Sequence, residues 1–254
     1  MAGLFDLTGK VGIVTGGAGG IGKALASGLA RHGADVVVTS RTLSKLEPVA
    51  KEIEAMGRKS LAVASDVTDE RSVKAMVEKV VHAFSHIDIL VNAAGINIRN
   101  SAEDIPVEDW KKVMDFNALG TFICCQAVGR VMIKQKSGRI VNVSSVRGRY
   151  GAPSGAVAYS PSKGAVDTLT RTLACEWAKY NICVNAVAPT LIETDLTRQA
   201  LANPEFAKTM KARIPLGRWG FPEDVVGPTV FLASKASDFV TGQIIYVDGG
   251  TTTW

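Results

Sequence analysis

Seven short runs of Val, Ile, Leu and Ala punctuate the chain: VGIVTG (11–16), ADVVVTS (34–40), SLAVAS (60–65), IDILVNAAG (87–95), GRIVNVSS (138–145), NICVNAVAP (181–189) and GQIIYVDGG (242–250). Their apolar residues are continuous rather than alternating with polar ones, the pattern of strands covered on both faces. Between them lie stretches rich in Ala, Leu, Lys and Glu with helical spacing. Strands that alternate with helices predict an α/β fold, a doubly wound parallel sheet of about seven strands flanked by helices. No linker, repeat or shift in composition divides residues 1–254, so one domain is expected. The segment 194–222 is the long interruption. It is helical in pattern but broken by NPE, IPLG and GFPED, and an insertion of that kind beside strand ends reads as a lid over a substrate.

Composition narrows the class. With 46% hydrophobic and 21% charged residues, and its 25 glycines scattered at turns, the chain is that of a folded globular protein. The formal charge of +5 is spread without a basic block, so no nucleic-acid partner is expected. No run of about 18 apolar residues is apparent, and the opening MAGLFDLTGK lacks the layout of a signal peptide. The expectation is therefore a cytoplasmic protein with no membrane partner. Cys124, Cys125, Cys175 and Cys183 lie in apolar stretches without C-x-x-C pairing and are read as reduced core thiols. His32, His82 and His86 form no cluster, and neither H-E-x-x-H nor G-x-S-x-G occurs. No metal site and no Ser-His-Asp hydrolase is expected.

Two motifs carry chemistry. The first is TGGAGGIGKALA (15–26), directly after the first strand and opening the first helix. Gly16, Gly20 and Gly22 let the backbone turn tightly and approach a diphosphate, whose charge a helix N-terminus favours, so a Rossmann-type dinucleotide site is predicted. The second is YSPSKGAV (159–166). Residues four apart share a helix face, so the Lys163 ammonium is expected beside the Tyr159 oxygen. A phenol ionises near pH 10, and an ammonium ~4 Å away at an effective dielectric of ~20 favours phenolate by up to roughly 4 kcal/mol. Tyr159 would thereby become a usable base. Alone, however, Y-x-x-x-K is a common helix-surface pattern.

The ordered set TGGAGGIG, SDVTD, NAAG, a helix holding Asn117, IVNVSS, YSPSK, VNAVAP and VDGG resembles the short-chain dehydrogenase/reductase family along essentially the whole chain. The resemblance implies a single-domain NAD(P)-dependent oxidoreductase that interconverts a secondary alcohol and a ketone. It implies Tyr159 as acid/base, Lys163 on the nicotinamide ribose, Ser145 on the substrate oxygen, and Asn117 supporting a water that relays protons to Lys163. It further implies cofactor contacts at Ile21 in the glycine turn, at Asp66 and Val67 by the adenine, at Asn92 and Gly95 on the adenosine side, and at Ile192 and Thr194 by the carboxamide. Two departures stand out: the Ser145-to-Tyr159 spacing is one residue longer than usual, and Pro189-Thr190 replaces the usual Pro-Gly.

Where the second strand ends, Ser40 and Arg41 offer donors for a 2′-phosphate and no carboxylate is present to hold a ribose 2′-hydroxyl. NADP is therefore favoured, with NAD as the alternative. The stretches GINIRN and RIPLGRWG are similar to the gluconate 5-dehydrogenase and 2-dehydro-3-deoxygluconate 5-dehydrogenase branch, which implies a sugar-acid substrate. Its carboxylate needs a cation, and Arg99 or Arg147 is the candidate. Alternatives are a 3-oxoacyl-thioester reductase, a polyol or sugar dehydrogenase, a cyclic-alcohol dehydrogenase and, outside the enzymes, a catalytically silent cofactor-sensing protein. In related members the helices around ALGTFICCQAVGRVMI and SKGAVDTLTRTLACEWA form a four-helix interface, which implies a homotetramer.

Overall fold

All seven apolar runs are strands. β1 (Val11–Thr15), β2 (Asp35–Ser40), β3 (Ser60–Ala64), β4 (Ile89–Asn92), β5 (Gly138–Val143), β6 (Ile182–Pro189) and β7 (Ile244–Val247) form one parallel sheet in the order β3-β2-β1-β4-β5-β6-β7. The computed structural model describes residues 3–152 and 155–253. The helices are α1 (Gly20–Arg31), α2 (Leu43–Ala55), α3 (Glu70–Phe84), α4 (Val107–Met114), α5 (Gly120–Gln135), α6 (Tyr159–Trp177), α7 (Asp195–Leu201), α8 (Pro204–Ala212) and α9 (Val226–Ala233).

The burial pattern explains the continuous apolar runs. In β2, Val36 and Val38 pack with Leu25, Leu46 and Leu232 of α1, α2 and α9, while Val37 packs on the other face with Met76, Val128 and Leu173 of α3, α5 and α6. Successive side chains point to opposite faces, both are covered, and so both must be apolar. Strand order reverses between β1 and β4, whose C-terminal ends pair Thr15 with Asn92. That switch point is where an open α/β sheet offers a ligand crevice.

α4 and α5 are joined by a single π turn, Asp115–Leu119, that carries Asn117. The helical run Val107–Gln135 contains an 18-residue window, of mean hydropathy 1.4, that is long and apolar enough to cross a membrane by length and composition alone. This corrects the expectation that no such run exists. Half of that stretch is buried inside the fold, and its apolarity is that of a core helix: Cys124, Cys125, Val128 and Met132 pack against the sheet. Burial pushes the Cys124 thiol up to about 12 and the Cys125 thiol higher still, which leaves both inert. Cys175 is a second correction. It is exposed, unlike Cys124, Cys125 and Cys183, because α6 buries its neighbours Leu173 and Ala174 instead.

Segment 194–222 forms α7, α8 and an irregular return. Its base is a short parallel pairing in which Gly220 N–H donates to Leu191 and Glu193 N–H donates to Gly220. α8 is capped by Asn203 but buries no residue.

Candidate active site

The glycine turn is built for an anion. Gly16 has φ +70°, and a Cβ there would lie 2.9 Å from the backbone of Ala94. A Cβ on Gly22 would lie 2.2 Å from the Gly16 carbonyl oxygen. Any side chain at either position would force the turn open. α1 starts with no side-chain cap, and a Cβ on its N-cap residue Gly19 would meet nothing within 4 Å. Its first-turn amides therefore have no side-chain cap, and free helix N-terminal amides are the donor set a diphosphate requires. Ile21 packs against the core beneath the turn. A Cβ on Gly20 would meet the Thr194 methyl at 3.3 Å, so the start of segment 194–222 abuts the cradle. These residues fit a dinucleotide.

Along the crevice, Ser40 and the exposed Arg41 stand at the end of β2, and the Arg41 guanidinium lies 5.4 Å from the Phe116 ring centroid. Asp66 accepts from the amide and hydroxyl of Thr68 beyond β3, and Val67 is buried where a Cβ on Gly120 would touch it at 2.9 Å. Two positions differ from the expected adenosine side. The Asn92 side chain turns inward, donating to Asn142 Oδ1 at 2.9 Å and to Cys125 Sγ at 3.2 Å, so it ties β4 to the core. Gly95 borders the reaction end: a Cβ there would lie 3.6 Å from both Asn117 Oδ1 and Lys163 Nζ. Thr190 fits without strain, since outside glycine positive φ occurs among the described residues only at Ser85, Lys136 and Asn181.

At the reaction end, Tyr159 opens α6 and Ser145 caps the turn that leaves β5. Ser145 Oγ accepts from Arg147 N at 3.1 Å and donates to the Pro189 carbonyl at 3.4 Å. Ser144 faces elsewhere, donating to the Lys163 carbonyl. Lys163, 4% exposed, donates from Nζ to the Val143 carbonyl at 2.8 Å and lies 5.7 Å from the Tyr159 ring centroid. Burial holds its ammonium down at about 8, with the Asp167 charge opposing. Asn117 is fully buried: Oδ1 accepts from Ile96 N–H, and Nδ2 donates to the Ile96 carbonyl and to Ser162 Oγ. Its amide is thus a clamp on the loop after β4.

The expected electrostatics of Tyr159 need correction. Burial raises its pKa above the ordinary phenol value, and what pulls the other way is hydrogen bonding from Ser145 and the positive charge of Arg147. Lys163 is turned to the Val143 carbonyl. Arg147 thus adds a positive charge at the phenol, and the Lys163 ammonium stands 5.7 Å from the same ring centroid.

Residues 16–252 match the family profile described as enoyl-(acyl carrier protein) reductase, among the short-chain dehydrogenases. The chain belongs to the short-chain dehydrogenase/reductase family. It is 41% identical to the gluconate 5-dehydrogenase of Gluconobacter oxydans over 98% of this chain and 97% of that one. It is 43% identical to the 2-dehydro-3-deoxy-D-gluconate 5-dehydrogenase of Dickeya dadantii over 97% and 96%. A solved gluconate 5-dehydrogenase from Burkholderia cenocepacia in complex with NADP and tartrate superposes with a TM-score of 0.95 at 37% identity, covering 99% and 98%. The protein is an oxidoreductase of this family with a small-molecule substrate and a nicotinamide dinucleotide cofactor.

Within this dehydrogenase the two candidate arginines differ. Arg147 is half-buried, donates Nη1–H to the Gly151 carbonyl at 2.7 Å and stacks 5.4 Å from the Tyr150 ring centroid. Arg99 packs its aliphatic stem near Gly155. The extra residue between Ser145 and Tyr159 falls in a loop whose residues 153–154 lie outside the described ones. An open groove of about 700 Å³ lined by Phe5, Asp6, Arg31, His32, Met56 and Arg58 holds none of the motif residues. Sequence reasoning missed the influence of Arg147 on Tyr159 and the buried Asp167. The second had a signal: Tyr159, Lys163, Asp167 and Arg171 recur at four-residue intervals on α6.

Proposed function

We propose that this dehydrogenase oxidises a secondary hydroxyl of a sugar acid to a ketone, and runs the reverse reduction, with NADP preferred over NAD. The observation that carries this reading is the half-buried Arg147, whose charge reaches the Tyr159 hydroxyl. A carboxylate on Arg147 would hold the rest of a sugar-acid chain within reach of that hydroxyl. The nicotinamide supplies or accepts the hydride when bound. Gly16, Gly20 and Gly22 would hold the diphosphate end, Ile192 and Thr194 would lie by the carboxamide, and Asp66 and Val67 by the adenine. Ser145 orients the substrate oxygen, and Tyr159 takes the hydroxyl proton in oxidation or returns it in reduction. Lys163 holds the ribose, and a water supported at Asn117 passes protons to it.

Ser40 and Arg41, with no carboxylate beside them, support the 2′-phosphate of NADP. We further infer one domain with residues 194–222 as its substrate lid, and a homotetramer.

The test is a substrate panel of gluconate, a neutral hexitol, a cyclic alcohol and a 3-oxoacyl thioester, each with both cofactors, followed by nicotinamide absorbance. Gluconate-type acids with NADP should give the highest kcat/KM. A higher value for the thioester or the cyclic alcohol overturns the sugar-acid reading, and a higher value with NAD overturns the cofactor preference.

A further inference from the structure

Asp167 sits on α6 one turn beyond Lys163 and is 3% exposed. Its Oδ1 has no hydrogen-bond partner. Its other oxygen is wedged against the turn after β5, where a Cβ on Gly148 would lie 2.5 Å from Oδ2. The side chain at 148 must therefore be absent for this carboxyl to fit. A carboxyl serving only to fill space at a buried position is a poor choice, because a burial site that leaves an oxygen unpaired favours an apolar residue. Something besides packing accounts for it.

The surrounding charges supply a reason. Facing Asp167 are Ser144 from the end of β5, whose hydroxyl favours the ionised carboxyl, Gly148 from the following turn, and Lys163 and Arg171 from its own helix. Facing Lys163 are the Val143 carbonyl from β5, Gly95 from the loop after β4, Asn117 from the π turn, and Tyr159 and Asp167 from α6. The carboxylate acting on Lys163 is that of Asp167 alone among the described residues. Arg147 acts on Tyr159 from the opposite side.

We propose that Asp167 is a positioning residue for the reaction: its buried carboxylate is the counter-charge that keeps Lys163 cationic beside Tyr159. Burial, with the Asp167 charge opposing it, leaves the Lys163 ammonium at about 8, so loss of that one opposing anion lowers it further and leaves an increasing share of the lysine neutral at working pH. A neutral Lys163 no longer favours the phenolate. The inference rests on the proton-transfer role of Tyr159 and Lys163 proposed above.

The test is the pH profile of kcat/KM for alcohol oxidation in Asp167→Asn, which keeps the shape and removes the charge. The acid limb should move to higher pH by about half a unit or more, with the Kd for NADP changed less than about twofold. If Asp167→Asn does not fold, Ser144→Ala serves, since it removes the hydroxyl that favours the ionised carboxyl while keeping the carboxyl itself. Its limb should move the same way by a smaller amount. A profile superposable on wild type overturns the proposal even if kcat falls, because a packing role lowers turnover without moving the limb. Absence of any turnover in wild type would instead sink the dehydrogenase chemistry on which the inference rests.

Discussion

The wall that carries Ser145, Tyr159 and Lys163 and the segment 194–222 are built on opposite terms. In the wall, Asn117, Asn142, Ser162 and Thr170 are fully buried and linked in series. Asn92 donates to Asn142, Asn142 to Thr170 and Thr170 to the Val166 carbonyl, while Asn117 donates to Ser162 and Ser162 to the Tyr159 carbonyl. Apart from Asn92 Oδ1, which has no partner, these buried groups are paired, and buried hydrogen-bonded networks favour one geometry. The lid has nothing comparable. α8 buries no residue, the Arg198–Asp195 pair is exposed at 65% and 86%, and such pairs contribute only about 0–1 kcal/mol each. Its firmest ties are at its base, where Trp219 Nε1 donates to Glu193 Oε2 at 2.9 Å and Arg218 grips Asp224 with two hydrogen bonds. If 194–222 is the substrate lid proposed above, a rigid core around Tyr159 and Lys163 and a more loosely held segment beside it would set reaction type and substrate choice from different parts of the chain.

Substitutions on the two sides should therefore split cleanly between kcat and KM. The largest effect belongs to Tyr159→Phe, which keeps the ring and removes the proton-transfer oxygen. Turnover should fall by about 10³-fold or more with little change in NADP affinity, and retention of a tenth of wild-type kcat would remove Tyr159 from its role. Next is the energetic cost of the wall itself. Because burial lowers the Lys163 ammonium from 10.5 to about 8, the folded state holds fewer protons there than the unfolded chain between those values. The resulting penalty is fully present below pH 8 and is relieved as pH rises. Relative to Lys163→Met, wild type should gain about 2 kcal/mol of unfolding free energy between pH 7 and 9.5, measured by urea denaturation. Parallel curves for the two proteins would contradict the buried ammonium.

Smaller effects are expected at the rim. Arg41→Ala should raise the KM for NADP by about tenfold and that for NAD by less. Equal changes would remove the 2′-phosphate contact. Trp219→Phe keeps the ring over Lys211, which lies 4.5 Å from the indole centroid, and deletes the donor to Glu193. Substrate KM should rise about threefold with kcat nearly unchanged. A fall in kcat with constant KM would mean that the lid shapes the chemistry and would erase the contrast. Light scattering at micromolar concentration should give the tetramer mass, with the exposed Leu119 and Phe122 near the start of α5 covered by a neighbouring copy.

The contrast also separates what was legible in the sequence from what was not. Strands announced themselves because both faces of the sheet are covered, so Val36, Val37 and Val38 all had to be apolar. The glycine turn was legible because Gly16 and Gly22 leave no room for a Cβ. Side-chain direction was harder to read. Spacing put Lys163 on the face of Tyr159, but did not show that its ammonium would bind the Val143 carbonyl or that Arg147 would add a positive charge at the phenol. Asn92 stands in a motif, yet whether its amide faced crevice or core depended on Asn142 across the sheet, 50 residues away in sequence. Cys175 sits in an apolar word, and only the helix phase exposes it.

The central claim, a sugar acid held by Arg147 against Tyr159, is tested most directly by measuring kcat/KM for gluconate and for a neutral hexitol with Arg147→Ala and Arg99→Ala side by side. Losing the partner of a desolvated carboxylate costs roughly 2 to 4 kcal/mol, about thirty- to a thousandfold in kcat/KM. Arg147→Ala should show that loss with gluconate and a much smaller one with the hexitol, whereas Arg99→Ala should treat the two alike. Equal losses for acid and hexitol in Arg147→Ala, or selective loss of gluconate activity in Arg99→Ala, would contradict the account.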